Sequence, residues 1–174
     1  MKRLILALAV VAVMLMGGAA AEAAKVVITI NKLSQKMTVE VDGKREHSWP
    51  ISTGAPGYET PSGTYRPFRM EKEHYSKEWD DAPMPHSIFF TARGHAVHGS
   101  YHIKSLGRRA SHGCVRLHPD NAAKLFALVK KAGMANTTVR VRGGLLDLGG
   151  ASADGRSKNR NGKKKHWFWD NRSN

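Results

Sequence analysis

The most reactive side chain in this sequence is its single cysteine, Cys114. A thiol attacks a carbonyl carbon only as the thiolate, and a cysteine with an ordinary pKa of about 8.5 needs a nearby base or cation to form it at neutral pH. Two histidines are candidates for that base, His98 and His112. His112 lies two residues from Cys114, and such neighbours on an extended turn tend to point apart. His98 can approach from an adjacent strand, so we expect His98 to be the base.

Glycines lie beside both candidate catalytic residues. Gly113 precedes Cys114, and a residue without Cβ lets a carbonyl substrate come close to the backbone. We expect the N–H groups of Gly113 and Cys114 to point at the developing oxyanion, where such a donor stabilises the transition state by roughly 3–4 kcal/mol. Gly99 follows His98, and we expect it to leave room for the sulfur or the substrate.

Two further residues near Cys114 each have two interpretations. Ser111 can hydrogen-bond within the active site or cap a local turn, and serine's preference for turns favours the second role. Arg116 can hold a substrate carboxylate through a charge-assisted hydrogen bond, or it can be structural. The sequence leaves both alternatives open for Arg116.

A zinc site is the competing interpretation of the histidines around Cys114. They are His95, His98, His102, His112 and His118. The spacing of His98 and His102 would present both to one metal ion on a helix. Gly99 argues against a helix there, and no Glu follows the first His as in zinc proteases. We therefore predict neither a metal nor a cofactor. The remaining histidines, expected to be solvated or structural, are His47, His74, His86 and His166.

The first third of the chain has the pattern of antiparallel strands. Residues 26–30 are rich in β-branched side chains, and residues 36–41 alternate polar and apolar with period two. Asp42-Gly43 suits a tight two-residue hairpin turn, after which the chain returns over residues 44–51. These features predict a meander of three antiparallel strands.

The middle of the chain is rich in turn residues and short apolar runs. Three glycines and two prolines exclude a helix from residues 53–64. Residues 71–86 are polar, and we expect an irregular segment there. Residues 87–91 and 95–98 are predicted to be two short strands.

The clearest helix prediction runs from Pro119 to Ala132, with proline in the first turn and Gly133 as the C-terminal cap. Its expected core-facing stripe consists of Ala122, Leu125, Phe126 and Val129. Residues 137–142 are predicted to form the last strand. The predicted fold is mostly β, with two packed sheets, one helix in the C-terminal half, and the thiol at a groove between loops.

The segment Ser111-His112-Gly113-Cys114-Val115-Arg116, with His98-Gly99 upstream, resembles the signature of L,D-transpeptidase catalytic domains, the YkuD-like family. The resemblance covers about residues 25–142, including Thr60-Pro61-Ser62-Gly63-Thr64-Tyr65. It implies a β-sandwich fold with Cys114 as nucleophile and His98 as base. It also implies a backbone carbonyl, that of Gly99, that fixes the His98 tautomer.

The resemblance further implies a reaction on peptidoglycan stem peptides. The cysteine attacks the L,D-peptide bond of a wall tetrapeptide, D-Ala leaves, and an amine takes the acyl group. It implies acylation of Cys114 by carbapenems as well. Two alternatives use the same acyl-enzyme: anchoring of an envelope protein to peptidoglycan, and hydrolysis of such links. An inactive wall-binding module and a metal-dependent hydrolase are weaker alternatives.

The two ends of the chain differ in composition from residues 25–142, the predicted catalytic domain. Residues 1–23 have a basic start, an apolar run from Leu4 to Met16 and Ala21-Glu22-Ala23, as in a cleavable secretory signal. The apolar run is shorter than the roughly 20 residues that a spanning helix needs. Residues 143–174 are expected to form a basic, disordered tail.

The formal net charge is +14, so the protein should be attracted to polyanions. The predicted signal places it in the periplasm or cell wall, where the available polyanions are envelope polymers. No nucleic-acid-binding motif is present, and we expect no nucleic-acid partner. Membrane contact is expected only through an uncleaved signal or the basic tail.

Overall fold

The computed structural model describes residues 23–77 and 81–143. The predicted signal peptide up to residue 22 and the predicted tail from residue 144 lie outside the described residues. The described part contains eleven β-strands and one α-helix. None of its helices is long and apolar enough to cross a membrane.

The strands are numbered in chain order, and the helix is α1. Their bounds are β1 Val26–Asn31, β2 Lys36–Val41, β3 Lys44–Pro50, β4 Gly63–Tyr65, β5 Arg69–Glu71, β6 Tyr75–Ser76, β7 Ala82–Pro83, β8 Ser87–Phe89, β9 Ala96–Gly99, β10 Val115–Leu117, α1 Pro119–Ala132 and β11 Thr137–Arg142. Short 3₁₀ turns cover Ile103–Ser105 and Met134–Asn136.

The first sheet has the order β3-β2-β1-β11-β4. Its first three strands are the predicted antiparallel meander, which is confirmed. Asp42 and Gly43 have φ angles of 50° and 79°, the left-handed conformations that a two-residue hairpin turn requires. Strand β11 lies parallel to β1, a pairing that the sequence did not predict. All four strands of the second sheet lie between β1 and β11 in the sequence, although β1 and β11 are neighbours in the first sheet.

The second sheet has the order β10-β9-β8-β5. Its inner face carries Ile88, Val97 and Val115, which join the buried side chains of the first sheet in one core. Burial of an aliphatic side chain of this size stabilises the fold by roughly 1.5–3 kcal/mol. This shared core fixes the position of the second sheet, whose other face carries the candidate site.

Helix α1 has the predicted bounds and packs mainly against β9. The predicted stripe is confirmed at Ala122, Leu125 and Val129, which are buried, while Phe126 is partly buried. Gly133 ends the helix with a φ of 85°, a value that favours glycine.

The prediction that residues 71–86 are irregular was wrong in part. Strands β6 and β7 pair as a small ribbon within that segment, and β5 ends at its first residue. Strands of only two or three residues are too short to show the alternation of polar and apolar residues that identifies a strand in a sequence. Strand β8 ends at Phe89, earlier than predicted, because the Phe90 N–H turns to donate to the His95 carbonyl at 3.0 Å. Strand β10, inside the cysteine signature, was also missed.

Candidate active site

The candidate nucleophile, Cys114, lies on a tight turn directly before β10. Ser111 holds this turn closed, because its Oγ donates to the Cys114 carbonyl oxygen at 2.5 Å and accepts the Gly113 N–H at 3.2 Å. Gly113 has a φ of 115°, which side-chain-bearing residues rarely adopt. The Ser111 hydroxyl therefore has the turn-capping contacts, and the glycine supplies the backbone shape.

A second set of hydrogen bonds ties this turn to the connector between β3 and β4. The buried Thr60 donates from Oγ1 to the Gly113 carbonyl oxygen at 2.8 Å and accepts the Gly54 N–H at 2.9 Å. The Thr53 carbonyl oxygen accepts the Ser111 N–H at 3.0 Å. Gly54 must be glycine, since a Cβ there would lie 1.8 Å from the carbonyl oxygen of Tyr58. The connector thus positions the residue preceding the nucleophile, and sequence reasoning missed this role of Thr60.

The candidate base, His98, lies on β9, next to β10. The parallel register places His98 opposite Arg116, and Cys114 lies two residues before Arg116. Cys114 and His98 line the same cavity, on the side of the second sheet opposite the buried Val97 and Val115. Cys114 also packs against a small apolar cluster of Met84, Phe89 and Ala96.

His98 is a buried, neutral imidazole with a defined tautomer. Its Nδ1 lies 2.7 Å from the Gly99 carbonyl oxygen, which can only accept, so Nδ1 carries the proton and Nε2 is an acceptor. Burial lowers the pKa of His98 to about 4, partly opposed by the Gly99 carbonyl and reinforced by the positive charge of Arg116. His98 is therefore uncharged at neutral pH and can accept a proton at Nε2.

His112, the other candidate base, is exposed at the cavity edge. Its ring meets that of Tyr58 edge-to-face, with centroids 4.8 Å apart. Desolvation lowers the pKa of His112, and the positive charge of Arg116 adds to this.

Arg116 has a structural contact and also faces the cavity. Its Nη1 donates to the Ala110 carbonyl oxygen at 3.2 Å, which supports the loop before Ser111, and its side chain also lines the cavity. Burial lowers the pKa of Arg116 while attraction to Cys114 raises it. The guanidinium stays charged at neutral pH and favours the thiolate form of Cys114.

The expectation that Gly99 leaves room for the sulfur or substrate was wrong. A Cβ at Gly99 would lie 3.1 Å from both Pro119 Cα and Pro85 Cγ, so protein atoms already fill that space. Gly113 is similarly enclosed, because a Cβ there would lie 3.1 Å from the His95 ring. The Gly113 N–H, assigned to the oxyanion from sequence, donates to Ser111 in this structure.

Cys114 and His98 line a cavity of about 400 Å³. Its charged lining residues, other than histidines, are Arg69, Lys77, Arg93 and Arg116. Among the described residues no acidic side chain lines it, so the cavity favours an anionic ligand. His74, expected from sequence to be solvated or structural, also lines the cavity. The described residues contain no group of three or more His, Cys, Asp or Glu side chains placed to hold a metal ion.

Comparison with known proteins agrees with this geometry. Residues 25–141 match the family model of the YkuD L,D-transpeptidase catalytic domain, and the chain belongs to this family. A curated relative from Bacillus subtilis (strain 168), "Putative L,D-transpeptidase YqjB", is 27% identical over 114 residues, which are 59% of this chain and 65% of that protein. The chain thus spans less than two thirds of that relative's length.

Solved structures with the same fold include two mycobacterial enzymes. An L,D-transpeptidase from Mycobacterium smegmatis is 27% identical, with a TM-score of 0.63 over 69% of this chain and 59% of that one. L,D-transpeptidase 3 from Mycobacterium tuberculosis, in complex with a faropenem-derived adduct, is 25% identical, with a TM-score of 0.61 over 69% and 61%. The mostly-β architecture predicted from sequence is therefore confirmed.

The contacts of Thr60 generate a first prediction. Thr60→Val keeps the side-chain volume but removes the hydroxyl, which leaves the Gly113 carbonyl and the Gly54 N–H without that partner. We expect a loss of about 1–3 kcal/mol in unfolding free energy and a fall in turnover of at least about tenfold, since the nucleophile turn shifts. Thr60→Ser is the control and should retain most of both. Urea unfolding and D-Ala release measure the two quantities; a valine variant equal to the wild type in both would exclude this role.

The neutral state of His98 generates a second prediction, measured by iodoacetamide alkylation of Cys114 between pH 4 and pH 8. His98→Ala should slow alkylation at pH 7 by about 100-fold, the usual scale of general-base assistance. Protonation of His98 as the pH falls through about 4 removes the acceptor at Nε2. The rate advantage of the wild type should therefore persist from pH 8 to about pH 5.5 and vanish only near pH 4.

His112→Ala is the matched control for this experiment and should slow alkylation much less. A larger effect of His112→Ala would reverse the two roles. Loss of the wild-type advantage near pH 6.5 would show that His98 titrates as an exposed histidine and would contradict its burial.

Proposed function

We propose that this chain is an L,D-transpeptidase of the bacterial cell wall that uses Cys114 as its nucleophile and His98 as its general base. The observation that carries the proposal is the placement of these two side chains on one face of the second sheet, at a cavity of about 400 Å³ with a basic lining. Family membership supplies the reaction class, and the residues of this chain supply the roles.

The acylation half-reaction would use both residues. The Cys114 thiol passes its proton to His98 Nε2 while Sγ attacks the carbonyl carbon of the L,D-peptide bond in a wall tetrapeptide. The tetrahedral intermediate collapses, the C–N bond breaks, and the D-Ala amine leaves with the proton from His98. A thioester on Cys114 remains, and His98 is neutral again.

The second half-reaction returns the enzyme to its starting state. An amine acceptor, the side chain of a wall diamino acid, loses a proton to His98 as it attacks the thioester carbonyl. The C–S bond breaks, His98 returns that proton to Sγ, and Cys114 leaves as the thiol with His98 neutral again. A protein amine in place of the wall amine would anchor an envelope protein, and water would give hydrolysis; the acyl-enzyme is the same in all three cases.

The charge of the cavity suits the proposed substrate. Stem peptides carry carboxylates, and Arg116 lies on the same face as the nucleophile. We assign Arg116 to a substrate carboxylate in addition to its contact with Ala110, because a guanidinium binds carboxylates through paired hydrogen bonds. The protein would act in the periplasm or cell wall after export by the segment 1–23.

Incubation of the purified full chain with tetrapeptide muropeptides, followed by mass analysis, tests this function. We expect release of free D-Ala and cross-linked products from the wild type, and neither from Cys114→Ala, whose melting temperature should stay close to that of the wild type. A carbapenem should add its mass to the wild type and not to Cys114→Ala.

The products identify the acyl acceptor in the same experiment. Cross-linked dimers indicate a wall amine, shortened tripeptides indicate water, and a muropeptide attached to an added envelope protein indicates anchoring. D-Ala release by Cys114→Ala at the wild-type rate would exclude the cysteine mechanism, and loss of activity on chelation with recovery on adding Zn²⁺ would favour the metal-dependent alternative.

A further inference from the structure

A third histidine, His95, lies beside the nucleophile turn. Cys114 Sγ lies 3.8 Å from the carbonyl oxygen of Gly94, the residue before His95. The edge of the His95 ring formed by Cδ2 and Nε2 lies 3.1 Å from the position that a Cβ on Gly113 would take. The ring also lines the cavity. Gly94 and His95 therefore lie beside Cys114 and Gly113, respectively.

Thr91 contacts His95 at two atoms. Thr91 Oγ1 accepts the backbone N–H of His95 at 3.2 Å and lies 2.7 Å from its Nδ1. The hydroxyl has a proton that it can donate to Nδ1, and the role proposed below uses this tautomer of His95. With Nδ1 accepting, a neutral ring carries its proton on Nε2, at the edge that lies over Gly113.

The charge state of His95 fits this role. Burial lowers the pKa of His95, and the positive charge of Arg93 lowers it further, so the ring is neutral at neutral pH. A neutral imidazole N–H can polarise a substrate carbonyl. The proposed tautomer of His95 differs from that of His98, in which Nδ1 carries the proton and Nε2 is the acceptor.

One of the two backbone donors expected at the oxyanion is already engaged in this structure. The developing oxyanion of an acyl transfer needs hydrogen-bond donors, and the Gly113 N–H already donates to Ser111. We propose that His95 donates its Nε2–H to the carbonyl oxygen of the bond that Cys114 attacks. This inference rests on the proposed function and adds a catalytic residue to it; no covalent bond forms to His95, and its proton stays on the ring throughout.

Paired substitutions at His95 test the proposal. Gln places an amide N–H near the position of Nε2, whereas the shorter Asn reaches only toward Thr91. Single-turnover acylation by a tetrapeptide muropeptide should fall by about 100-fold in His95→Asn, and His95→Gln should recover at least about tenfold of that loss. His47→Asn, on the outlying strand β3, is the control and should acylate at the wild-type rate.

Alkylation of Cys114 by iodoacetamide separates carbonyl polarisation from other roles of His95. This reaction attacks a saturated carbon and forms no oxyanion, so His95→Asn should be alkylated within about twofold of the wild-type rate if its only lost contact is with the carbonyl oxygen. A parallel fall of acylation and alkylation would overturn the proposal, since it would mean that His95 activates the thiol or holds the turn.

The remaining outcomes distinguish this inference from the function on which it rests. Wild-type acylation rates in His95→Asn, or equal losses in the Asn and Gln variants, would overturn the role of His95 while leaving the function of Cys114 intact. Absence of acylation in the wild-type protein would overturn both. Thermal melting of each variant confirms that the rates refer to folded protein.

Discussion

The register between β9 and β10 is the constraint on which the candidate site depends. Val97 lies opposite Val115, and both are buried in the core, so the next residue along β9 and the residue before β10 are directed to the other face. A slip of one residue would exchange the faces and separate His98 from Cys114. The apolar core thus fixes the geometry of the candidate site, because the same pairing that buries the valines places the imidazole and the thiol at one cavity.

The nucleophile turn has no regular structure of its own, and its shape comes from partners distant in sequence. Thr60 lies 53 residues from Gly113 and holds its carbonyl. Buried Gln35 lies 18 residues from Thr53 and bonds both to its hydroxyl, at 2.7 Å, and to its N–H, at 2.9 Å. Since the Thr53 carbonyl accepts the Ser111 N–H, a chain of hydrogen bonds leads from the first hairpin to the site. The turn is thus held by buried polar side chains of other loops, which the strands of the first sheet connect.

The sequence predicted the elements and residues whose signals are local. The hairpin at Asp42-Gly43, helix α1 and the candidate nucleophile each have a signature within a few residues, and the hairpin and helix were predicted closely. Strand β10 has only three residues, and the parallel pairings of β1 and β9 depend on contacts far along the chain. The sequence named Thr60 within the family-like segment and His95 among the candidate zinc ligands, but their contacts with the nucleophile turn were not predicted for the same reason, since their partners lie far along the chain. Gly99 was misread because its neighbours Pro85 and Pro119 meet only in the folded protein.

The electrostatics of the site indicate when the proton moves. Burial holds the pKa of His98 at about 4, so a resting pair of imidazolium and thiolate is disfavoured at neutral pH. The positive charge of Arg116 lowers the pKa of His98 and attracts negative charge on Cys114, so it favours a neutral imidazole beside a thiol that loses its proton more easily. In the proposed mechanism the proton is then transferred as Sγ bonds to the carbonyl carbon, when the negative charge passes from sulfur to oxygen. At that moment the carbonyl oxygen needs hydrogen-bond donors. Because the Gly113 N–H already donates to Ser111, the neutral ring of His95 is the donor proposed for this oxygen.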